Sequence, residues 1–164
     1  MATSVSYSKI DRYWSQFIES LPASQPRPVR YLGASYFGTR PEGAREIADL
    51  VLAGIKTSTG SLRWSYDFGR KPLPQAGDLS IVTDGFDHPL CIIETSEVQI
   101  LAFDEVDAQF AYEGGEEDRT LESWRRMYWS YIVSECARIN REPTSKAPIV
   151  CERFRVVYKE PLVE

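Results

Sequence analysis

Hydrophobic residues recur at helical spacing near the start of the chain. Between about Ser8 and Leu21 they fall on one stripe made of Ile10, Tyr13, Trp14, Phe17, Ile18 and Leu21. This spacing predicts an amphipathic helix that ends at Pro22. The stretch LPASQPRPVR then predicts a linker. We therefore expect residues 1–30 to form a helix and linker packed on a body made of residues 31–164.

Helical periodicity returns at three later places. A second helix is predicted after Thr39, which we expect to cap it, and it should stop at Gly54. Its apolar stripe consists of Ala44, Ile47, Ala48 and Val51. Asp104–Tyr112 and Thr120–Ile139 predict two more helices, a short one and a long one.

Three segments have the composition of β-strands. LSIVTD follows a turn at Gly77 and Asp78, PLCIIETSEVQILAF is a long β-rich run, and VCERFRVVYK alternates near the end of the chain. The order of helix, strands, helices and strand does not alternate as βαβ units do. It predicts an α+β fold with a small β-barrel flanked by helices.

Composition limits the kind of protein. The chain has 164 residues, 43% of them hydrophobic, and a formal net charge of -5. This charge argues against a protein that coats nucleic acid through its whole surface, although it leaves room for a local basic groove. No apolar run approaches the roughly 20 residues that cross a bilayer, and the first residues do not resemble a signal peptide. We therefore expect a cytoplasmic protein with no membrane partner.

Cysteine and histidine give little sign of metal or nucleophile chemistry. Cys91, Cys136 and Cys151 are widely spaced in apolar stretches, which predicts buried, reduced thiols. His88 is the single histidine and is predicted to lie in a surface turn. No resident cofactor or metal site is predicted, and neither GxGxxG nor a Walker loop is present. An acidic loop at Glu116, Glu117 and Asp118 could still recruit a divalent ion.

The segment GIKTSTGS places Lys56 and several hydroxyl residues between two glycines, directly after the second helix. A lysine in a partly desolvated pocket can act as a general base, and a nearby threonine can act as a nucleophile or hydrogen-bond donor. An ordinary helix end followed by a threonine-rich edge strand, with Lys56 in solvent, fits the same spacing.

The next segment, Arg63–Lys71, interleaves rings with cations. If it is extended, Trp64, Tyr66 and Phe68 share one face and form a platform on which bases could stack. The alternative is that the rings belong to the core of a half-buried strand.

A third segment, Glu113–Asp118, is an acidic loop broken by glycines and followed by the helix that starts near Thr120. Its acids suit the positive end of that helix, with Thr120 or Asp118 as the cap. Alternatively, one carboxylate pairs with Lys56 across a cleft and tunes its affinity for protons.

Taken together, these segments resemble the ASCH family, a branch of the PUA-like superfamily, over roughly Phe37 to Tyr158. The resemblance is carried by the order and spacing of five stretches, ADLVLAGIKTST, PLPQAGDLSIVTD, IIETSEVQI, FAYEGGEEDRTLESWRRMY and VCERFRVVY. It implies a PUA-like barrel with a cleft that holds the lysine, and a role in RNA binding.

The resemblance also implies candidate site residues. Some relatives are described as ribonucleases, and small bacterial ones as amidohydrolases that deacylate acylated cytidine with a Lys-x-x-Thr pair and a downstream Glu. In this sequence Lys56, Thr59 and Glu116 match that pattern and are the predicted catalytic residues. The predicted substrate-binding residues are Thr57, Ser61, Arg63, Trp64, Tyr66, Glu117 and Tyr128.

The sequence departs from the family pattern at two positions. Gly115-Glu-Glu-Asp118 replaces the usual Gly-Glu-Gly-Asp, so Glu117 competes with Glu116. Tyr128 stands where many relatives carry a histidine.

Three functions follow. The first is an RNA- or nucleotide-binding protein with ribonuclease-like hydrolysis of single-stranded RNA. The second is an amidohydrolase acting on acylated cytidine, and the third is an RNA-binding module without catalysis. The partner is RNA or a modified nucleoside, and no oligomeric state is predicted. We also expect Lys56 to be partly exposed, so that Lys56→Ala leaves the melting temperature nearly unchanged.

Overall fold

The structure is a computed structural model that describes residues 2–164, with side chains from Lys9 onward. Met1, which belongs to the predicted segment 1–30, lies outside the described residues.

Five α-helices and two short 3₁₀ helices are present among the described residues. The α-helices are α1 (Ala2–Ser20), α2 (Ala44–Leu52), α3 (Arg63–Gly69), α4 (Ala108–Gly114) and α5 (Leu121–Arg138). The 3₁₀ helices span Pro41–Gly43 and Phe103–Glu105. The predicted N-terminal helix and the long helix predicted at Thr120–Ile139 are confirmed. The short helix predicted at Asp104–Tyr112 begins only at Ala108, after the 3₁₀ turn. None of the helices in residues 2–164 is both long and apolar enough to cross a membrane.

The start of the second helix differs from the prediction. Thr39 was expected to cap it, but the first turn is the 3₁₀ helix, and Arg40 precedes that turn without a side-chain cap. Pro41 explains the shift because its fixed φ suits the first residue of a helical turn. The end is as predicted, since Gly54 follows α2 with a positive φ of 74°.

Five strands form one sheet in the order β1-β3-β4-β5-β2. The strands are β1 (Gly33–Ser35), β2 (Ser58–Leu62), β3 (Leu79–Thr83), β4 (Pro89–Ala102) and β5 (Pro148–Tyr158). β1 runs parallel to β3, whereas the β3–β4 and β2–β5 pairs are antiparallel. β2 is therefore an edge strand.

The described residues group into two compact units. The first contains the chain up to Gly54, Gly77–Glu94 and Arg155–Glu164. Its core joins one face of α1 to β3 and β4 and consists of Ile10, Tyr13, Phe17, Leu79, Ile81 and Ile92. Removal of this apolar surface from water is the main force that holds α1 in place.

The second unit contains Ile55–Ala76 and Thr95–Phe154. Its core is built on α5, where Trp124 stacks on Tyr128 with ring centroids 4.4 Å apart. Phe103, Phe110, Ile132 and Ile149 complete the centre of this cluster. All ten predicted site residues belong to this unit. The three cysteines are free and buried, as predicted.

Candidate functional site

Lys56 is buried in the second unit. Gly54 ends the preceding helix, Ile55 is exposed, and the chain then turns so that only 2% of Lys56 is accessible. The expectation that this lysine is partly exposed is therefore wrong. The turn that covers it comes from a segment about 60 residues later in the chain, which a local pattern does not reveal.

The Lys56 ammonium contacts the acidic loop. Its Nζ lies 3.1 Å from Oε2 of Glu116 and donates a hydrogen bond of 3.2 Å to the carbonyl oxygen of Gly114. The Glu116 side chain is 19% exposed, so the pair is largely removed from water. A contact between Lys56 and one of the loop carboxylates was predicted, and the structure makes it with Glu116.

Gly115 allows the loop to approach Lys56. Its φ is 73°, and a Cβ at this position would lie 2.8 Å from the carbonyl oxygen of Ile55 and 2.9 Å from Cα of Lys56. A side chain would therefore be strained and would collide with backbone. The Thr57 N–H also donates to the carbonyl of Glu113 at 2.8 Å. The two segments thus approach closely at Gly115 and are joined by a backbone hydrogen bond beside the ion pair.

Arg119 also holds this loop, through contacts at the protein surface. Its guanidinium lies 3.6 Å above the ring centroid of Tyr112 and donates to the carbonyl oxygens of Tyr112 and Ile55, at 2.9 and 3.2 Å. Nothing in the sequence pattern indicated this role.

The other two acids of the loop have different partners. Glu117 lies 3.5 Å from Arg126 in an exposed ion pair, so it does not take the place of Glu116 beside Lys56. Asp118 accepts hydrogen bonds from Thr120 and Ser123 at the start of α5. The hydrogen bonds from Ser123 and Thr120 lower the pKa of Asp118 to about 2. The role at the start of α5 therefore falls to Asp118, and the contact with Lys56 to Glu116.

Glu113 forms a further ion pair that sequence reasoning missed. Its carboxylate lies 2.6 Å from Nε of Arg153 on β5, and Arg153 also lies 3.2 Å from Glu97. An alternating strand pattern gives no hint of this pairing, because its two partners lie in distant segments.

The free edge of β2 faces tyrosine hydroxyls of α5. The Gly60 N–H donates to the Tyr128 hydroxyl at 3.0 Å, and the Leu62 N–H donates to the Tyr131 hydroxyl at 3.1 Å. Tyr128, whose role in substrate binding stays a prediction, is almost buried and accepts the hydrogen bond from the strand backbone. Tyr131 has the matching role one helical turn later and was not predicted.

Thr59 and Ser61 project to the other face of β2. In the register with β5, Thr59 lies opposite Glu152 and Ser61 opposite Val150. The hydroxyls of Ser61 and Tyr66 lie 2.9 Å apart. Two predicted site residues are thus brought into contact, and Thr59 is placed beside a carboxylate on the neighbouring strand.

The predicted extended platform at Arg63–Lys71 is wrong, because Arg63–Gly69 form helix α3. The three rings therefore do not share a face. Trp64 packs against the core and under the guanidinium of Arg141, 4.3 Å from the ring centroid, whereas Phe68 is exposed. Spacing explains the error, since Trp64 and Phe68, four residues apart, are also neighbours on a helix.

The residues suggested for a divalent ion do not form a recognisable metal site. Within residues 2–164 there is no group of three or more His, Cys, Asp or Glu side chains that could hold a metal ion.

Comparison with known families identifies the fold. A family model described as the ASCH domain matches residues 33–158, most of the chain. The chain belongs to the ASCH domain family. The ASCH domain from Lactobacillus crispatus JV V101 is 30% identical with a TM-score of 0.83, and 92% of this chain and 95% of that one are covered. The protein EF3133 from Enterococcus faecalis V583 is 27% identical with a TM-score of 0.82, and the coverage is 93% and 90%.

Membership of the ASCH family confirms the predicted α+β, PUA-like fold. A search of curated proteins finds no match. The predicted boundary between residues 30 and 31 stays a prediction, as do the roles assigned to the site residues of this ASCH protein.

Proposed function

We propose that this ASCH protein binds single-stranded RNA or a modified nucleoside and hydrolyses it at a centre formed by Lys56, Thr59 and Glu116. The observation that carries the proposal is the buried contact between the Lys56 ammonium and the Glu116 carboxylate at 3.1 Å. Hydroxyl residues of β2 follow Lys56 within a few positions in the chain.

The physical argument is the free-energy cost of burying the Lys56–Glu116 ion pair. Taking an ammonium and a carboxylate out of water is expensive, and apolar residues of similar volume are often equally stable or more stable at such a place. A fold that needed only stability would gain little from Lys56. A buried charged pair that stability alone does not explain supports a chemical role.

Hydrolysis of RNA is the first candidate reaction. Lys56 would act at the centre, with Glu116 holding its ammonium in place. Arg63 is exposed on α3, directly after β2, where it could contact a phosphate. The partly buried hydroxyls of Ser61 and Tyr66 could bind the sugar or the base, and Trp64 would act mainly by supporting α3.

Deacylation of acylated cytidine is the second candidate, and the Lys56–Glu116 contact favours it. Lys56 would first pass one proton to Glu116 and then, as the neutral amine, take the hydroxyl proton of Thr59 while that oxygen attacks the acyl carbon; Glu116 would also orient the lysine. The released cytidine carries that proton away, and water then cleaves the acyl–threonine ester.

One experiment separates these functions. Wild-type protein, Lys56→Met and Lys146→Met are incubated with short single-stranded RNA and, separately, with acylated cytidine, and the products are resolved by chromatography. Lys146 is a matched control because it is an exposed lysine of the same unit that pairs with Asp104 at 2.9 Å. A parallel incubation with a chelator tests dependence on a metal.

Cleaved RNA would support the first reaction and released cytidine the second, provided that Lys56→Met abolishes the product and Lys146→Met does not. Binding without any product would leave the non-catalytic RNA-binding module. An unchanged rate in Lys56→Met, or neither binding nor turnover by the wild type, would contradict the proposal.

A further inference from the structure

A group of polar side chains lies on the face of β2 and β5 that is turned away from the core of the second unit. We call it the Glu152 cluster; it consists of Thr59, Ser61, Tyr66, Thr95 and Glu152. Only Thr59 has a part in the proposed chemical step, and neither Thr95 nor Glu152 was predicted as a site residue.

Strand register places the cluster on one face. Thr59 is directly opposite Glu152 in the antiparallel β2–β5 pair, and side chains at opposed positions project to the same side about 5 Å apart. Ser58 and Leu62, on the other face of β2, are fully buried. Thr59 and Glu152 therefore project away from that core.

Contacts join the members of the cluster. Thr95 donates a long hydrogen bond of 3.4 Å to Glu152, and the hydroxyls of Ser61 and Tyr66 lie 2.9 Å apart. Burial raises the pKa of the Tyr66 phenol, the hydrogen bond with Ser61 opposes this increase, and the charge of Glu152 adds to it.

The surroundings enclose one side of the cluster. Val150 and Thr95 are almost inaccessible, whereas Thr59, Ser61 and Glu152 are partly exposed. The cluster is therefore partly accessible and lies beside buried apolar surface, which reduces competition from water. In such a place a hydrogen bond to a charged group is worth more than it is in bulk solvent.

The chemistry of the cluster favours a ligand edge that contains an amino group. A carboxylate offers about four lone-pair sites and no donor, so Glu152 can accept several hydrogen bonds at once, that of Thr95 among them. Glutamate accepts hydrogen bonds from exocyclic amino groups of bases. A keto oxygen at the same place would instead face a carboxylate oxygen. The hydroxyls of Ser61 and Tyr66 can donate to a ring nitrogen or carbonyl beside the amino group.

We infer that the Glu152 cluster is a base-recognition subsite that selects nucleobases with an exocyclic amino group, and that Glu152 accepts the hydrogen bond from this group. The inference rests on the proposed function, because the ligand is the RNA or nucleoside expected beside Thr59. It adds the class of base, and it makes Glu152 the residue that determines specificity.

Matched nucleosides test the inference. Cytidine and uridine differ by an amino group in place of a keto oxygen, and so do adenosine and inosine. Dissociation constants are measured by titration calorimetry or by NMR shifts. We expect the wild type to bind the amino member of each pair about tenfold more tightly or better, in line with the worth of a base contact. In Glu152→Gln we expect the preference to fall below about threefold, because an amide can donate to a keto oxygen.

Glu97→Gln is the control for the loss of a negative charge, because Glu97 is an exposed carboxylate of the same unit. It should keep the wild-type preference. If Glu152→Gln does not give a folded amide spectrum, Ser61→Ala combined with Tyr66→Phe replaces it. This variant should bind the amino member at least about fivefold more weakly, through the loss of neutral hydrogen bonds.

The outcomes separate the two claims. A wild type that binds nucleosides without preference, or a Glu152→Gln variant that keeps the full preference, overturns the subsite and leaves the proposed function intact. An unchanged affinity in the double variant also overturns the subsite. A wild type that binds neither nucleosides nor RNA overturns both.

Discussion

Each of the two compact units buries a polar side chain, and the two groups are held in different ways. In the first unit the Tyr13 hydroxyl is buried within hydrogen-bond distance of two backbone carbonyls, those of Leu90 at 3.1 Å and Glu160 at 2.8 Å. Burial raises the pKa of this phenol well above its usual range, so it stays neutral. In the second unit the buried ammonium of Lys56 contacts the carboxylate of Glu116, on a loop whose close approach requires Gly115.

This difference in partners distinguishes a side chain that contributes to stability from a pair that is expected to take part in chemistry. A neutral phenol with backbone partners adds apolar surface and a satisfied hydrogen bond, which is sufficient to explain its presence. An ion pair in a poorly hydrated place offers no comparable gain in stability, because the cost of desolvation offsets much of its attraction. Lys56 and Glu116 are therefore expected to matter for function, and Tyr13 for folding alone.

The largest expected effect is that of Lys56→Ala. We expect loss of hydrolysis by at least about 100-fold, the usual range for a general acid–base group. We also expect a lower free energy of unfolding by about 3 kcal/mol, because the carboxylate of Glu116 is left without its partner in a mostly buried place. Activity assays and chemical denaturation measure the two effects, with Lys146→Ala as the exposed control. A Lys56→Ala variant as stable as the wild type would contradict the proposed difference between the two buried groups.

Gly115→Ala tests the loop that carries Glu116. A methyl group at φ 73° would meet the backbone of Ile55 and Lys56 below 3 Å. We expect a loss of about 2 kcal/mol from strain and displacement together, with reduced activity. Gly54→Ala is the matched control, since its φ is 74° and nothing lies within 4 Å of the added carbon. It should cost about 1 kcal/mol through conformation alone. Equal losses in the two variants would mean that the close approach is unimportant.

Tyr13→Phe tests the buried polar group of the first unit. It removes the hydroxyl that contacts the carbonyls of Leu90 and Glu160. We expect a loss of about 1–2 kcal/mol, the usual cost of leaving a buried acceptor without a donor. Denaturation should detect this loss, and the specific activity of the folded protein should stay at the wild-type value. A fall in specific activity would contradict the assignment of this unit to folding alone.

The smallest effect concerns pH and Asp118. The pKa of this residue falls from 3.8 to about 2 in the folded protein through its hydrogen bonds with Ser123 and Thr120. A lowered folded pKa means that the contribution to stability is present above about pH 4 and is lost as the pH falls towards 2. Asp118→Asn should flatten the pH dependence of the unfolding midpoint in this interval. The same slope in the variant would show that other carboxylates are responsible.

The parts of the site that could be predicted are those determined by nearby residues. Gly54 and the hydroxyls after Lys56 indicated a helix end and an edge strand, and Thr120 indicated the start of α5; the structure bears these out. The choice between Glu116 and Glu117 was open because neighbouring acids look alike in a sequence. The turn decides it, since Gly115 and Glu117 both have positive φ, and this directs the carboxylate of Glu116 to Lys56 and that of Glu117 to Arg126.

Other features depend on segments far apart in the chain. The burial of Lys56 is produced by a loop that only tertiary folding brings near, so the local pattern wrongly suggested exposure. At Arg63–Gly69 the spacing of Trp64 and Phe68 is compatible with both a strand and a helix, and the helix forms. The sequence did not indicate the roles of Arg153 and Tyr131. Arg153 pairs with a carboxylate and Tyr131 accepts a hydrogen bond from a backbone N–H, and each partner lies in a distant segment.

The tyrosines that face β2 also limit how any partner can attach. An unpaired strand edge normally invites another extended chain to continue the sheet through backbone hydrogen bonds. Here the Gly60 and Leu62 donors are already occupied by phenolic oxygens. A peptide at this edge therefore finds two of the strand's donors already occupied, which disfavours templated aggregation through it. A ligand of β2 is therefore expected to contact the side chains of the strand rather than its backbone edge.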